Sequence, residues 1–365
     1  MIGYKNGVVV SIINEYKHLS FVRVNIDGLV FNAINYNDFT GKVKLDDNVV
    51  LNTTAMDLDL GTGGYHFVMY NHRYKSIDIK GPGHIMKLRY TPYQMKCLTA
   101  EEEDSPYHNL FNEFKSLDGH VFIVATLHSM IAPIVAMIKY LNNNLKIDYI
   151  MTDGGALPLY FSNAIAELKN MGILDQTITI GHAFGGDLEC INIYTGLIAA
   201  KEIFKNDVTI ISMGPGIVGT GTKYGFTGME QGYIIDSINK LGGTPIAVPR
   251  ISFKDSRERH RGISHHTITV LSEIVNTVST LILPVLEKEK HSYIMNQIKE
   301  SKLDEKHSII FQSGENIFKA MKKFNLETTS MGRTIDDDSE YFITLGAVGN
   351  YAVSLLQERR DFHGF

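Results

Sequence analysis

From Val121 onward, short β-branched apolar runs alternate with segments of helical length, and few architectures can accommodate that alternation. Val121–Thr126, Ile147–Thr152, Thr177–Ile180, Val208–Met213, Thr244–Val248 and Ser308–Phe311 read as strands. The segments Ala132–Leu141, Leu159–Met171, Leu188–Phe204, Glu230–Lys240, Thr267–Leu286, Asn316–Phe324 and Tyr341–Leu356 read as helices. Consecutive parallel strands need a crossover of about a dozen residues, and a helix of that length supplies it. The pattern therefore predicts a Rossmann-like, mostly parallel three-layer α/β domain over residues 119–365, with right-handed crossovers.

Residues 1–95 follow a different period. Gly7–Ile13, Leu19–Ile26, Leu29–Ile34, Val43–Leu51 and Tyr65–Tyr70 are short and rich in β-branched and aromatic residues, and Asp27-Gly28 is a hairpin turn. Five short strands with little helix predict a small β-barrel of the SH3 or OB kind. Gly81-Pro82-Gly83 is a turn, and residues 96–118, with the acidic stretch Glu101–Pro106, form a joint between the two modules.

The first five predicted parallel strands share one property. Each ends in a polar or glycine-rich turn: Leu127-His128-Ser129, Asp153-Gly154-Gly155, Gly181-His182 with Asp187 beyond, Gly214 to Thr222, and Pro249-Arg250. The carboxyl ends of parallel strands lie on one edge of the sheet, where α/β proteins bind their ligands. The expected site is therefore a rim, defined by several turns at once.

Two segments of that rim are chemically distinctive. The run from Gly214 to Gly228 offers Gly214, Gly216, Gly219 and Gly221 for close backbone approach, with Thr220, Thr222 and Lys223 as further donors to an anion. Its spacing is neither GxGxxG closing on a helix nor GxxxxGK[ST], so it is not a dinucleotide or P-loop fingerprint. A basic strip follows, with Arg257, Arg259, His260, Arg261, Ser264, His265 and His266. Arginine forks grip carboxylate and phosphate, and Ser264 is placed to cap a helix. The plain alternative for the strip is a solvated loop with its charges paired to Asp255 and Glu258.

His128, Asp153, His182 and Asp187 are the candidate proton-transfer groups, since they come from successive strand ends. No histidine pair has HxxxH or HExxH spacing, so no metal site is assigned. Ser129 and Ser212 lie outside any GxSxG elbow, and covalent catalysis is not expected. The two cysteines, Cys97 and Cys190, form no CxxC and read as partly buried thiols in a reducing compartment.

Charge and hydropathy narrow the field further. The net charge is -5, which argues against a general nucleic-acid binder. No apolar run reaches membrane-spanning length and no signal-peptide pattern opens the chain, so a soluble, cytoplasmic protein with no membrane partner is expected.

Three stretches are similar to a known family. Leu60-Gly61-Thr62-Gly63-Gly64, Gly214-Pro215-Gly216-Ile217-Val218-Gly219-Thr220-Gly221-Thr222 and Arg257 through His266 resemble a bacterial family described as a domain of unknown function. The resemblance extends over most of the chain. It implies a bacterial cytoplasmic protein, mainly from Gram-positive organisms, and carries over no activity, cofactor or catalytic residue.

The leading functional expectation is an enzyme acting on a small anionic or phosphorylated metabolite. The glycine run and arginines would hold the anion, and His128 or His182 would move a proton with Asp153 or Asp187. A non-catalytic sensor of a nucleotide-like ligand is the alternative, and a structural homo-oligomer using the polar loops as its interface is the third.

Overall fold

The computed structural model describes residues 1–61 and 63–363. Thr62, within the first of the three resembling stretches, lies outside the described residues. The chain divides into two compact units, Met1–Gly81 with Thr91–Tyr93, and Pro82–Tyr90 with Gln94–Phe365.

The first unit is a closed five-stranded barrel of β1 (Tyr4–Glu15), β2 (Leu19–Ile26), β3 (Leu29–Tyr36), β4 (Asn48–Asn52) and β5 (His66–Asn71). Its strand order is β1-β2-β3-β5-β4, with β3 and β5 parallel and the other pairs antiparallel. That Greek-key order is of the OB kind. Alternating residues point inward, so Val22, Val24 and Ile26 of β2 join Val9, Ala33, Val49 and Leu51 in a small core.

The second unit opens with a short hairpin, β6 (Ile85–Lys87) with β7 (Met95–Cys97), and continues into an eight-stranded parallel sheet. The sheet comprises β8 (Val121–Val124), β9 (Ile147–Thr152), β10 (Gln176–Thr179), β11 (Leu188–Glu189), β12 (Val208–Met213), β13 (Thr244–Ala247), β16 (Thr280–Pro284) and β17 (Ser308–Gln312). Two further short strands, β14 (Ile251–Ser252) and β15 (Gly262–Ile263), pair beside it. The order across the sheet is β11-β10-β9-β12-β8-β13-β16-β17, and every pair is parallel. Every residue of β8, β9 and β12 is buried, as expected of strands covered on both faces. Helices Ile131–Leu141, Ile317–Lys323 and Ser339–His363 pack on one face, and Ile193–Ala199, Glu230–Lys240 and Lys288–Ser301 on the other.

Chain direction reverses in the middle of this sheet. From β8 the chain crosses towards β9 and the β11 edge, whereas from β12 it crosses towards β13 and the β17 edge. The adjacent carboxyl ends of β8 and β12 are therefore the topological switch point, where the two departing loops separate and leave a crevice.

Two predicted helices are corrected. Leu188–Phe204 is not one helix: Leu188–Glu189 pairs with β10, and the helix starts at Ile193 behind a capping box of Asn192 and Thr195. Thr267–Leu286 is also divided. A short helix, His265–Thr269, runs into a wide turn at Val270–Ile274, and Thr280–Pro284 becomes β16. Asp236 stops the helix by accepting from the backbone N–H groups of Asn276 and Thr277. The β-branched and apolar sequence from Thr280 then enters the sheet. Among the described residues no helix is long and apolar enough to cross a membrane.

Candidate functional site

The glycine-rich run leaves β12 at the switch point and borders several other turns along its length. Near its start, Ala156 N–H donates to Pro215 O at 2.8 Å, and a Cβ on Gly155 would overlap the carbonyl oxygen of Gly214. Only glycine permits the turn after β9 to approach so closely. Next, Pro215, Gly216 and Ile217 line a cavity of about 450 Å³ with Leu127, His128 and Ser129 from the turn after β8. Further along, a Cβ on Gly219 would lie 3.7 Å from His266 Cε1, and one on Gly221 would lie 3.9 Å from Arg259 Nη2. One loop thus links the switch-point cavity to the basic strip.

His128 is half-buried, and both of its ring nitrogens are hydrogen-bonded. Nδ1 lies 3.3 Å from Met213 O, a carbonyl that can only accept, so Nδ1 carries the proton. Nε2 then accepts from Ser162 Oγ at 2.6 Å. Burial pushes its pKa down to about 4, so the ring is neutral at pH 7. His182 Nδ1 accepts from Leu88 N–H at 2.9 Å, and Asp153 Oδ2 accepts from His182 N–H at 3.1 Å.

Glu230, which the sequence reading passed over, is the group that titrates near neutrality. It stands in the first turn of helix Glu230–Lys240, where the glycine run ends, and Oε1 accepts from Thr152 Oγ1 at 2.7 Å. Burial raises its pKa to about 7, and the nearby charge of Asp153 adds to the rise. Nothing in the local sequence marks Glu230. Its environment comes from the pairing of β9 with β12, which sets Thr152 beside the helix that follows β12.

Several predicted ligand donors are occupied elsewhere. Asp187 accepts from the backbone and hydroxyl of Thr177, at the amino end of β10, and pairs with Lys169, so it stands away from the rim. Lys223 pairs with Glu273 at 2.6 Å. The Thr220 and Thr222 hydroxyls bond to each other at 2.9 Å and close the loop internally. Arg257 clamps Asp255 with both Nε and Nη2, as the solvated-loop alternative foresaw, and Arg261 lies over the Tyr293 ring. Gly214, Gly216, Gly219, Gly221, Arg259, His260, Ser264 and His265 remain at the loop and strip.

The strip is densest around Arg250, at the carboxyl end of β13. Its Nη2 donates to Asp255 Oδ2 at 3.0 Å. The arginines around Asp255, Arg257 first and then Arg250, hold that carboxyl well below the usual carboxylate range. The other nitrogen of the Arg250 fork, Nη1, is buried without a hydrogen-bond partner. Nearby, the rings of His260, His265 and His266 face one another with centroids 4.2 to 5.1 Å apart. His266 also stacks on Phe226 of the glycine run at 3.9 Å. Burial, reinforced by the neighbouring arginines, pushes the pKa of His260 down to about 4. Burial and the adjacent rings push His266 down to about 3.

Both cysteine thiols are held protonated by burial, Cys97 being pushed up to about 12 and Cys190 also raised. Cys190 precedes the helix start at Ile193 and faces the core.

Fold and rim together define an α/β protein with a polar site at the switch point of a parallel sheet, preceded by a small barrel. The chain belongs to the family described as "Protein of unknown function (DUF3866)", whose profile matches residues 32–349. No curated protein sequence matches it. Among solved structures it is similar to FtsY from Mycoplasma mycoides, at 14% identity and a TM-score of 0.25, over 65% of this chain and 70% of that one.

Proposed function

We propose that the protein is an enzyme acting on a small anionic, phosphorylated metabolite held along the glycine-rich run. Arg250 carries this reading. It is 7% exposed, and its Nη1 has no hydrogen-bond acceptor. A buried donor left unpaired costs about 1–3 kcal/mol, more when charged, and an anionic oxygen relieves that cost. Arg259 supports the same reading, being exposed beside Gly221 and forming no ion pair among the described residues. The run contributes backbone N–H groups with little steric hindrance, as phosphate sites require. Glu230 serves as the proton-transfer group, since a carboxyl with a pKa near 7 exchanges protons readily at physiological pH.

Thermal unfolding of the full chain against inorganic phosphate, sugar phosphates and nucleotides tests this. A ligand bound only by the native state at a hundredfold excess over Kd adds about 2.7 kcal/mol of stability. At least one phosphorylated compound is expected to raise Tm, and Arg250→Met is expected to abolish that rise. Glu230→Gln is expected to keep the rise and lose turnover. If no anion moves Tm, or if Arg250→Met leaves the rise intact, the reading is wrong. A ligand bound by the unmodified protein but never converted would identify a sensor instead.

A further inference from the structure

The geometry points to a divalent transition-metal site made by His260, His265 and His266, beside the glycine-rich run. One ring nitrogen from each of the three lies within 4.8 Å of the others, and no hydrogen bond joins one ring to another. His260 is buried, and the Nε2 of His265 is buried without a hydrogen-bond partner. One buried and two half-buried imidazoles whose ring nitrogens gather this closely are costly unless something shares their lone pairs. A cation coordinated by all three does so.

Surrounding groups fix the ligands in place. Ser264 Oγ lies 2.8 Å from His260 Nδ1 and accepts from His266 N–H at 3.3 Å. With Nδ1 of His260 held by Ser264, its Nε2 is left as the metal-binding nitrogen. A second hydrogen bond of this kind is the usual partner of a ligating histidine. The Phe226 ring holds His266 at an interplanar angle of 15°. The sequence spacing concealed the set: His265 and His266 are adjacent, and His260 comes from the preceding turn, Glu258–His260.

The donor set selects the metal class. Three nitrogens without carboxylate or thiolate favour Zn²⁺, Co²⁺, Ni²⁺ or Cu²⁺ over Mg²⁺ and Ca²⁺. Three protein ligands leave a fourth position for water or substrate, whereas structural zinc sites close with four. Arg259 stands beside Gly221 of the same loop whose Gly219 borders His266, so an anion there could meet metal and guanidinium together. The metal site depends only on the three histidines and stands or falls separately from the phosphorylated-metabolite reading.

The test uses the full chain after removal of bound metal by a chelator. Equilibrium dialysis with Zn²⁺ is expected to give one ion per chain, and Co²⁺ is expected to show the intense visible bands of a four- or five-coordinate site. His260→Ala, His265→Ala and His266→Ala should each weaken binding at least about a hundredfold, and Ser264→Ala about ten- to a hundredfold. His72→Ala, an exposed barrel histidine, should leave it unchanged. Should the histidine variants misfold, crystals of the unaltered protein soaked in Zn²⁺ decide the matter by anomalous scattering. A peak among the three rings supports the site. Absence of stoichiometric binding, a peak elsewhere, or unaltered cobalt bands in all three variants overturns it.

Discussion

Single residues show how burial can give one type of side chain opposite roles. Glu230 and Asp148 are both acids with raised pKa values, but only Glu230 borders the glycine run. Asp148 lies fully buried in β9, where Asn206 donates to its Oδ1 and Oδ2 has no partner. Burial pushes its pKa up to about 8. The native state therefore keeps the proton to about pH 8, while the unfolded chain releases it near 3.8. The unfolded state binds fewer protons in that window, so this residue's contribution to stability falls as pH rises from about 4 to about 8. Asp148→Asn is expected to leave urea stability nearly unchanged at pH 4 and to raise it by a few kcal/mol at pH 8.5, each pKa unit being worth about 1.4 kcal/mol. A constant difference across pH would contradict this. Residue chemistry of this kind was the least legible from sequence. His128 is a histidine at a strand end, which made it a candidate, but its hydrogen bonds go to Met213 and Ser162, far along the chain, and its depressed pKa comes from burial that no local pattern records. The three-histidine cluster escaped because no fixed spacing encodes it.

Elements were legible wherever periodicity and punctuation agreed. The strands ending in Asp153-Gly154, Gly181-His182 and Gly214-Pro215 stand close to where their apolar runs placed them, because glycine and proline end each run. Most barrel strands were legible too, with Asp27-Gly28 joining β2 to β3, whereas the run expected from Val43 becomes strand only at Asn48. The segment from Thr267 misled because its apolar residues suit one face of a helix as well as a buried strand. What decides it is Asp236, whose carboxylate binds the amides of Asn276 and Thr277 from a neighbouring helix. Asp236→Ala should therefore unsettle the entry to β16. The expected loss is about 1–3 kcal/mol, with faster amide hydrogen exchange at Asn276 and Thr277. Unchanged exchange there would show that β16 ends the helix without help.

At the scale of the whole molecule, buried and half-buried histidines set the response to acid. His120, His128 and His260 have pKa values near 4 and His266 near 3, each lowered first by burial. The unfolded chain protonates them from about 6.5 downward while the native state does not, so stability falls as pH drops from about 6.5 towards 4. In the chain stripped of metal, Glu230 and Asp148 act in the opposite sense over much of that range, but they are two groups against these four histidines. Denaturant midpoints are therefore expected to climb between pH 4.5 and 6.5 and to level or decline towards pH 8.5. A protein most stable at pH 4.5 would refute the burial of these rings. The sheet has a further consequence for how the chain reaches its fold. Its earliest strand, β8, sits in the interior, hydrogen-bonded on one side to β12 and on the other to β13. A ribosome releasing this protein must therefore deliver Val208 before Val121 can gain its first neighbour, and Thr244 before it gains the second. The barrel strands complete their pairings among themselves by Asn71, so the nascent chain carries a finished amino-terminal unit while the centre of the larger one still waits for its flanks.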